Sequence, residues 1–117
     1  MVTASFEYGR ETGYIAMKVR GHAGFAELGK DPVCAGASTL AMTVAQCIQS
    51  MGEEGKLQKK PKIAVRNGRV SVVAKPKQEH FAEALHVFYI GETGMQLLAE
   101  AYPEHVQFTP FATSDKD

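Results

Sequence analysis

Ile63-Ala64-Val65-Arg66-Asn67-Gly68-Arg69-Val70-Ser71-Val72-Val73-Ala74 spells two strands and the turn between them. Apolar residues at alternate positions flank Asn67-Gly68, the strongest short turn signal an antiparallel hairpin has. A hairpin is therefore predicted over 63–74, with a type I′ turn at its tip. Upstream, Val33, Ala37, Leu40, Ala41, Val44, Ala45, Ile48 and Met51 recur at three- and four-residue steps, the stripe of a helix running to about Gly52. Asp31-Pro32 is its entrance, a capping residue followed by proline at the first helical position. Between Gly21 and Val33 no period survives, and Gly21, Gly24 and Gly29 mark a loop expected to be mobile. Further out, Val2, Ala4, Phe6 and Tyr8, then Ile15, Met17 and Val19, alternate on either side of a turn bounded by Gly9 and Gly13, a second hairpin. Downstream, Phe81, Leu85, Phe88, Met95, Leu98 and Tyr102 trace another helical stripe from about Gln78 to Ala101. Gly91 and Gly94 are expected to weaken it by about 1 kcal/mol each relative to Ala, and Pro103 ends it. Val106 and Phe108 flank Gln107 in a last strand. The order ββαββαβ predicts a two-layer α+β domain, a mostly antiparallel sheet with both helices on one face. Residues 1–112 form one domain and 113–117 a polar tail.

Composition narrows the function. At 117 residues the chain is one small domain, and its two Cys, without a Cys-x-x-Cys pair, make neither a disulfide scaffold nor a zinc site. No apolar run approaches the roughly 20 residues that span a bilayer, and the start lacks a signal-peptide pattern, so a cytoplasmic protein with no membrane partner is expected. The formal net charge of zero argues against a uniform nucleic-acid coat. It is nonetheless a sum of opposites: residues 1–55 carry 4 basic and 6 acidic side chains, residues 56–77 carry 8 and none, and residues 78–117 carry 1 and 7. The basic run of Lys56, Lys59, Lys60, Lys62, Arg66, Arg69, Lys75 and Lys77 has no aromatic residue interleaved. It reads as a solvated hairpin, and no dedicated nucleic-acid binding is expected. His80, His86 and His105 lack partners at ligand spacing, so neither a metal nor another cofactor is expected.

One pair of residues stands in a chemical context. With Asp31 as cap, Cys34 is the third helical residue, where the helix dipole and its first N–H groups favour thiolate, the nucleophilic form. His22, twelve positions earlier on a loop, can be brought to that sulfur to take its proton and later give it to a leaving amine. Ala35, Gly36 and Ala37 leave room for a substrate carbonyl to reach backbone amides, and Ser38 lies one turn beyond Cys34 on the same side. Each residue also has a plain role: a cysteine near a helix start is most often a small buried hydrophobe, Asp31 a cap, and Ser38 ordinary helix packing. Cys47 is separated from Cys34 by roughly 20 Å of helix and reads as core or near-core.

Gly21-His22-Ala23-Gly24-Phe25-Ala26, followed by Gly29-Lys30-Asp31-Pro32-Val33-Cys34-Ala35, resembles the motif of the ribosomal-processing cysteine protease family, Prp. The resemblance extends over almost the whole chain. It implies a bacterial, cytoplasmic thiol protease acting as a homodimer in ribosome biogenesis. Its substrate would be the short apolar N-terminal extension of large-subunit ribosomal protein twenty-seven, cut after an aromatic and before a small residue. By the same resemblance Cys34 is the nucleophile and His22 the general base and acid, with Asp31 and Ser38 in support. Gly21, Ala23, Gly24, Phe25 and Ala35 then belong to a substrate-binding lid. Pro32 departs from the aliphatic residue the family often has there; it suits a helix start and stiffens the lid's exit.

Two other functions compete. A non-catalytic ribosome- or RNA-associated module would use the basic hairpin 56–77. A thiol redox sensor would need a resolving partner for Cys34, which Cys47 cannot be within one chain. The candidate site falls in the nearly neutral first segment, which suits an apolar peptide better than a phosphate backbone.

Overall fold

The computed structural model describes residues 1–113. Alternating apolar residues form the strands β1 (Val2–Tyr8), β2 (Ile15–Arg20), β3 (Lys62–Arg66) and β4 (Arg69–Ala74), and β5 (Val106–Thr113) closes the chain. They make one sheet in the order β3-β4-β2-β1-β5. The β2–β4 pairing, antiparallel from Ile15↔Ala74 to Arg20↔Arg69, fuses the two hairpins. Among the described residues only β1–β5 is parallel. Both helices, α1 (Pro32–Glu53) and α2 (Phe81–Ala101), pack on the sheet and on each other, and a 3₁₀ turn at Gln78–His80 leads into the second. The predicted class and element order are borne out. The expected polar tail begins on Thr113, the last residue of β5, and otherwise lies outside the described residues.

The core is the apolar side of the pleat closed by the two helical stripes. Val2, Ala4 and Phe6, Ile15, Met17 and Val19, and Val70, Val72 and Ala74 face Val33, Ala37, Ala41, Val44, Ile48 and Met51 of α1 and Ala84, Phe88 and Met95 of α2. Fully burying a side chain such as Phe88 or Ile48 contributes about 1.5–3 kcal/mol. Gly91 and Gly94, expected as weak points, are where the helices cross. A Cβ on Gly91 would lie 2.6 Å from Val44 Cγ2, and one on Gly94 would lie 2.5 Å from Leu40 Cδ2.

Three local expectations are corrected. Gly68 has a φ of +73°, but among the described residues no non-glycine has positive φ, so Asn67 stays on the ordinary side and the turn is not type I′. Its shape answers to tertiary contact: the Gly68 carbonyl accepts the Gly21 N–H at 2.8 Å, and the His22 ring lies against the Gly68 Cα. Cys47 is exposed, because it lies off the stripe that faces the sheet. The last strand reaches beyond Phe108 to Thr113, through Pro110. Ser5 pairs with Thr109 and Glu7 with Ala112, so two residues, Pro110 and Phe111, stand opposite Phe6. An edge strand tolerates proline at such a bulge.

Candidate active site

The loop from Gly21 to Lys30 leaves the end of β2 and returns the chain to the start of α1, which brings His22 and Cys34 together at that end of the sheet. Cys34 Sγ lies 3.9 Å from His22 Nδ1. That is longer than a formed hydrogen bond, as is common in sites that tighten on substrate. His22 is exposed and Cys34 half-buried. The opposite edge of the ring, Nε2, is 2.8 Å from where a Cβ on Gly68 would stand, so the imidazole sits between the thiol and the tip of the β3–β4 hairpin.

Asp31 organises the ground around this pair. It is 7% exposed and caps α1, its Oδ1 accepting the N–H of Val33 at 2.9 Å and of Cys34 at 3.1 Å. Its Oδ2 reaches back to the loop, accepting the N–H of Phe25 at 2.9 Å and of Ala26 at 3.1 Å. Burial alone would raise its pKa, but these four amides, that of Cys34 first, hold the carboxyl below the usual aspartate range. The loop expected to be mobile is therefore clasped. A second anchor adds to the first: Phe25 stacks edge-on against Tyr102 and His105, with 5.3 Å between centroids in each case, while His105 Nδ1 is 2.9 Å from the Ala23 carbonyl oxygen.

The first-turn amides fare differently from the sequence expectation. The N–H groups of Val33 and Cys34 are engaged by the Asp31 carboxylate, and that of Ala35 by the Asp31 carbonyl at 3.0 Å. The positive end of the α1 dipole remains beside Cys34, but these amides already have acceptors.

A groove of 240 Å³ opens at the pair. Cys34, Ala37, Ser38, Ala41 and Met42 of α1 form one wall, and Val65, Arg66, Asn67, Gly68, Arg69 and Val70 of the hairpin form the other, with Gly21, His22 and Leu28 between. Leu28, Met42 and Val65 are more than half exposed and make its lips apolar. Of the residues named from sequence, Cys34, His22, Ser38 and Gly21 line the groove. Ala23 is buried beneath the loop, while Gly24, Phe25 and Ala35 are exposed outside the lining. Sequence reasoning missed the hairpin wall, whose Asn67-Gly68 was read only as a turn. The nearly neutral segment holding Cys34 is thus completed by two arginines from the basic run.

Thiol, imidazole and a groove with apolar lips describe the cysteine-peptidase class of protein. The chain belongs to the cysteine protease Prp family, whose sequence model matches residues 1–107. Its fold is similar to that of an essential ribosomal processing protease Prp from S. aureus, solved with a covalently linked product peptide. The identity is 23% and the TM-score 0.71, over 96% of this chain and 100% of that one. It is also similar to SMU.848 from Streptococcus mutans, at 24% identity and a TM-score of 0.65, over 97% and 96%. Among curated proteins, none matches the chain.

Proposed function

We propose that this cysteine protease is an endopeptidase with Cys34 as nucleophile and His22 as general base and acid. Its substrate is the apolar N-terminal extension of large-subunit ribosomal protein twenty-seven, cut after an aromatic and before a small residue. The observation that carries this reading is the 3.9 Å approach of Cys34 Sγ to His22 Nδ1 at the mouth of an apolar groove. A bacterial, cytoplasmic homodimer is the setting that the family resemblance supplies; among the described residues, no helix is long and apolar enough to cross a membrane.

The sulfhydryl proton moves to Nδ1, leaving the thiolate as the nucleophile. The thiolate attacks the scissile carbonyl carbon and forms the C–S bond. With the first-turn amides engaged, the developing oxyanion falls to the dipole and to the hairpin-tip donors Asn67, Arg66 and Arg69. Collapse of the tetrahedral intermediate breaks the C–N bond, and the imidazolium gives its proton to the leaving amine. Water then gives a proton to His22 as its oxygen attacks the thioester carbon; collapse breaks the C–S bond, the acid product leaves, and the imidazolium returns the proton to Sγ. Asp31 acts indirectly, fixing the helix start under Cys34 and the loop beside His22.

The test is mass analysis of a peptide bearing the aromatic-to-small junction. Cleavage is expected at that bond with the wild type and none with Cys34→Ala, while His22→Ala loses roughly 10²–10⁴-fold. Both variants keep the wild-type circular dichroism. Turnover by Cys34→Ala at the wild-type rate would overturn the proposal.

A further inference from the structure

We propose that the end of the sheet opposite the groove is a docking surface for the phosphate backbone of single-stranded RNA, built by Lys59, Lys60, Lys62 and Lys75 around Tyr14. Folding divides the basic run 56–77 in two. The pairing Arg20↔Arg69 puts Arg69, and with it Arg66, at the groove end of β2, whereas Ile15↔Ala74 and Lys62↔Val73 put Lys75 and Lys62 at the other end. The six residues of β2 hold the two ends roughly 20 Å apart.

At the lysine end the missing aromatic residue appears. Tyr14, from the turn before β2, has the Lys59 ammonium 5.1 Å and the Lys75 ammonium 5.2 Å from its ring centroid. Within about 6 Å such contacts are attractive. They hold two otherwise flexible lysines in place before any ligand arrives, reducing the entropy lost on binding. A hydrogen bond from Lys59, and after it the charges of Lys59, Lys75 and Lys62, outweighs desolvation and holds the Tyr14 hydroxyl below the usual phenol range.

The hollow there measures 270 Å³ and, among the described residues, has no carboxylate in its lining. Lys56, by contrast, is neutralised by Glu83 at 2.8 Å and Glu54 at 3.1 Å and belongs to the scaffold. None of the exposed large apolar residues lies in this lining, so it lacks the anchors of a protein interface or a membrane-inserted face. A concave basic surface with an aromatic ring suits a single strand. The choice of RNA over DNA rests on the ribosomal-processing reading above; the binding of a strand does not.

The experiment is fluorescence anisotropy of a short labelled single-stranded RNA of mixed sequence across a series of salt concentrations. DNA of the same sequence, polyglutamate and phosphatidylserine vesicles serve as competitors. Wild-type binding is expected to weaken with salt, and replacing Lys59 and Lys75 by Ala to reduce the log–log salt slope by roughly 0.7 per lysine. Tyr14→Ala weakens binding roughly tenfold, whereas Tyr14→Phe, which keeps the ring, binds as wild type. No RNA binding, stronger competition by polyglutamate or vesicles, or indifference to the lysine and Tyr14→Ala changes would each overturn the proposal, and equal competition by DNA would overturn the choice of RNA. The Cys34→Ala protein binds RNA like wild type. Absence of peptide cleavage by a wild type that still binds RNA would count against the peptidase mechanism alone.

Discussion

Gly68 carries a role that its residue type does not announce. Its φ of +73° already disfavours a side chain, and a Cβ would stand 2.8 Å from His22 Nε2. Gly68→Ala must therefore strain the turn by about 1–2 kcal/mol and displace the imidazole relative to Cys34. A shift on the scale of one ångström costs roughly 10²-fold in rate. The expected outcome is a kcat/KM for the junction peptide lower by that order, with folding retained; unchanged kcat/KM would show that the ring is not held by the tip. Cys34 and His22 could be singled out from local context, a helix start and a loop twelve residues apart, but it is the resemblance of residues 21–35 to the Prp motif that gives them roles. The hairpin tip could not be, since it meets His22 from more than forty positions away and its glycine has an ordinary turn explanation. Cys47 was misplaced because a helical stripe read by type admits a small sulfur residue that geometry turns to solvent.

Between elements, the decisive contacts are made where side chains are absent or shared. Helix propensity says that Gly91→Ala should stabilise α2 by about 1 kcal/mol. The crossing says the reverse, because the new methyl would lie 2.6 Å from Val44 Cγ2, and overpacking costs about 1–3 kcal/mol. A lower Tm on thermal denaturation is expected; a higher one would mean that the helices separate freely. Asp31 joins a different pair, the loop and α1. Its folded pKa lies below its unfolded value, so its contribution is fully present above the unfolded pKa and is lost as pH falls through the folded one. As pH falls through that lowered folded value the clasp on Phe25 and Ala26 loosens. Amide protection factors in the loop, which remove the intrinsic pH dependence of exchange, should therefore fall on acidification in the wild type, and be lower and flatter with pH in Asp31→Asn. The cap was readable from Asp31-Pro32 alone, whereas the clasp needs the loop to fold back on its own end, which no periodicity records.

At the scale of the whole molecule, what was legible was the element order and the apolar faces, because each strand and helix advertises its period. Two things were not: which strand neighbours which, and how far β5 runs. The pairing of β5 with β1 is parallel and joins the two ends of the chain, and Pro110 conceals its continuation by breaking the pattern. The bulge there places Phe111 among aromatic rings, 5.4 Å from Phe6, 6.0 Å from Tyr8 and 5.1 Å from Tyr89, while its N–H donates to Glu92 Oε2 at 2.5 Å. Phe111 thus ties the first strand, the second helix and the last strand into one cooperative unit. A half-buried ring with these contacts is worth less than a fully buried Phe, for which truncation costs about 3–5 kcal/mol. Phe111→Ala is expected to cost about 2 kcal/mol, near 8 °C in Tm. If β5 is integral to the fold, far-ultraviolet circular dichroism and tyrosine fluorescence will report one coincident transition in both proteins. A fluorescence transition preceding the loss of secondary structure in the wild type would mean that β5 detaches as a separate unit, and that the sheet order closes without it.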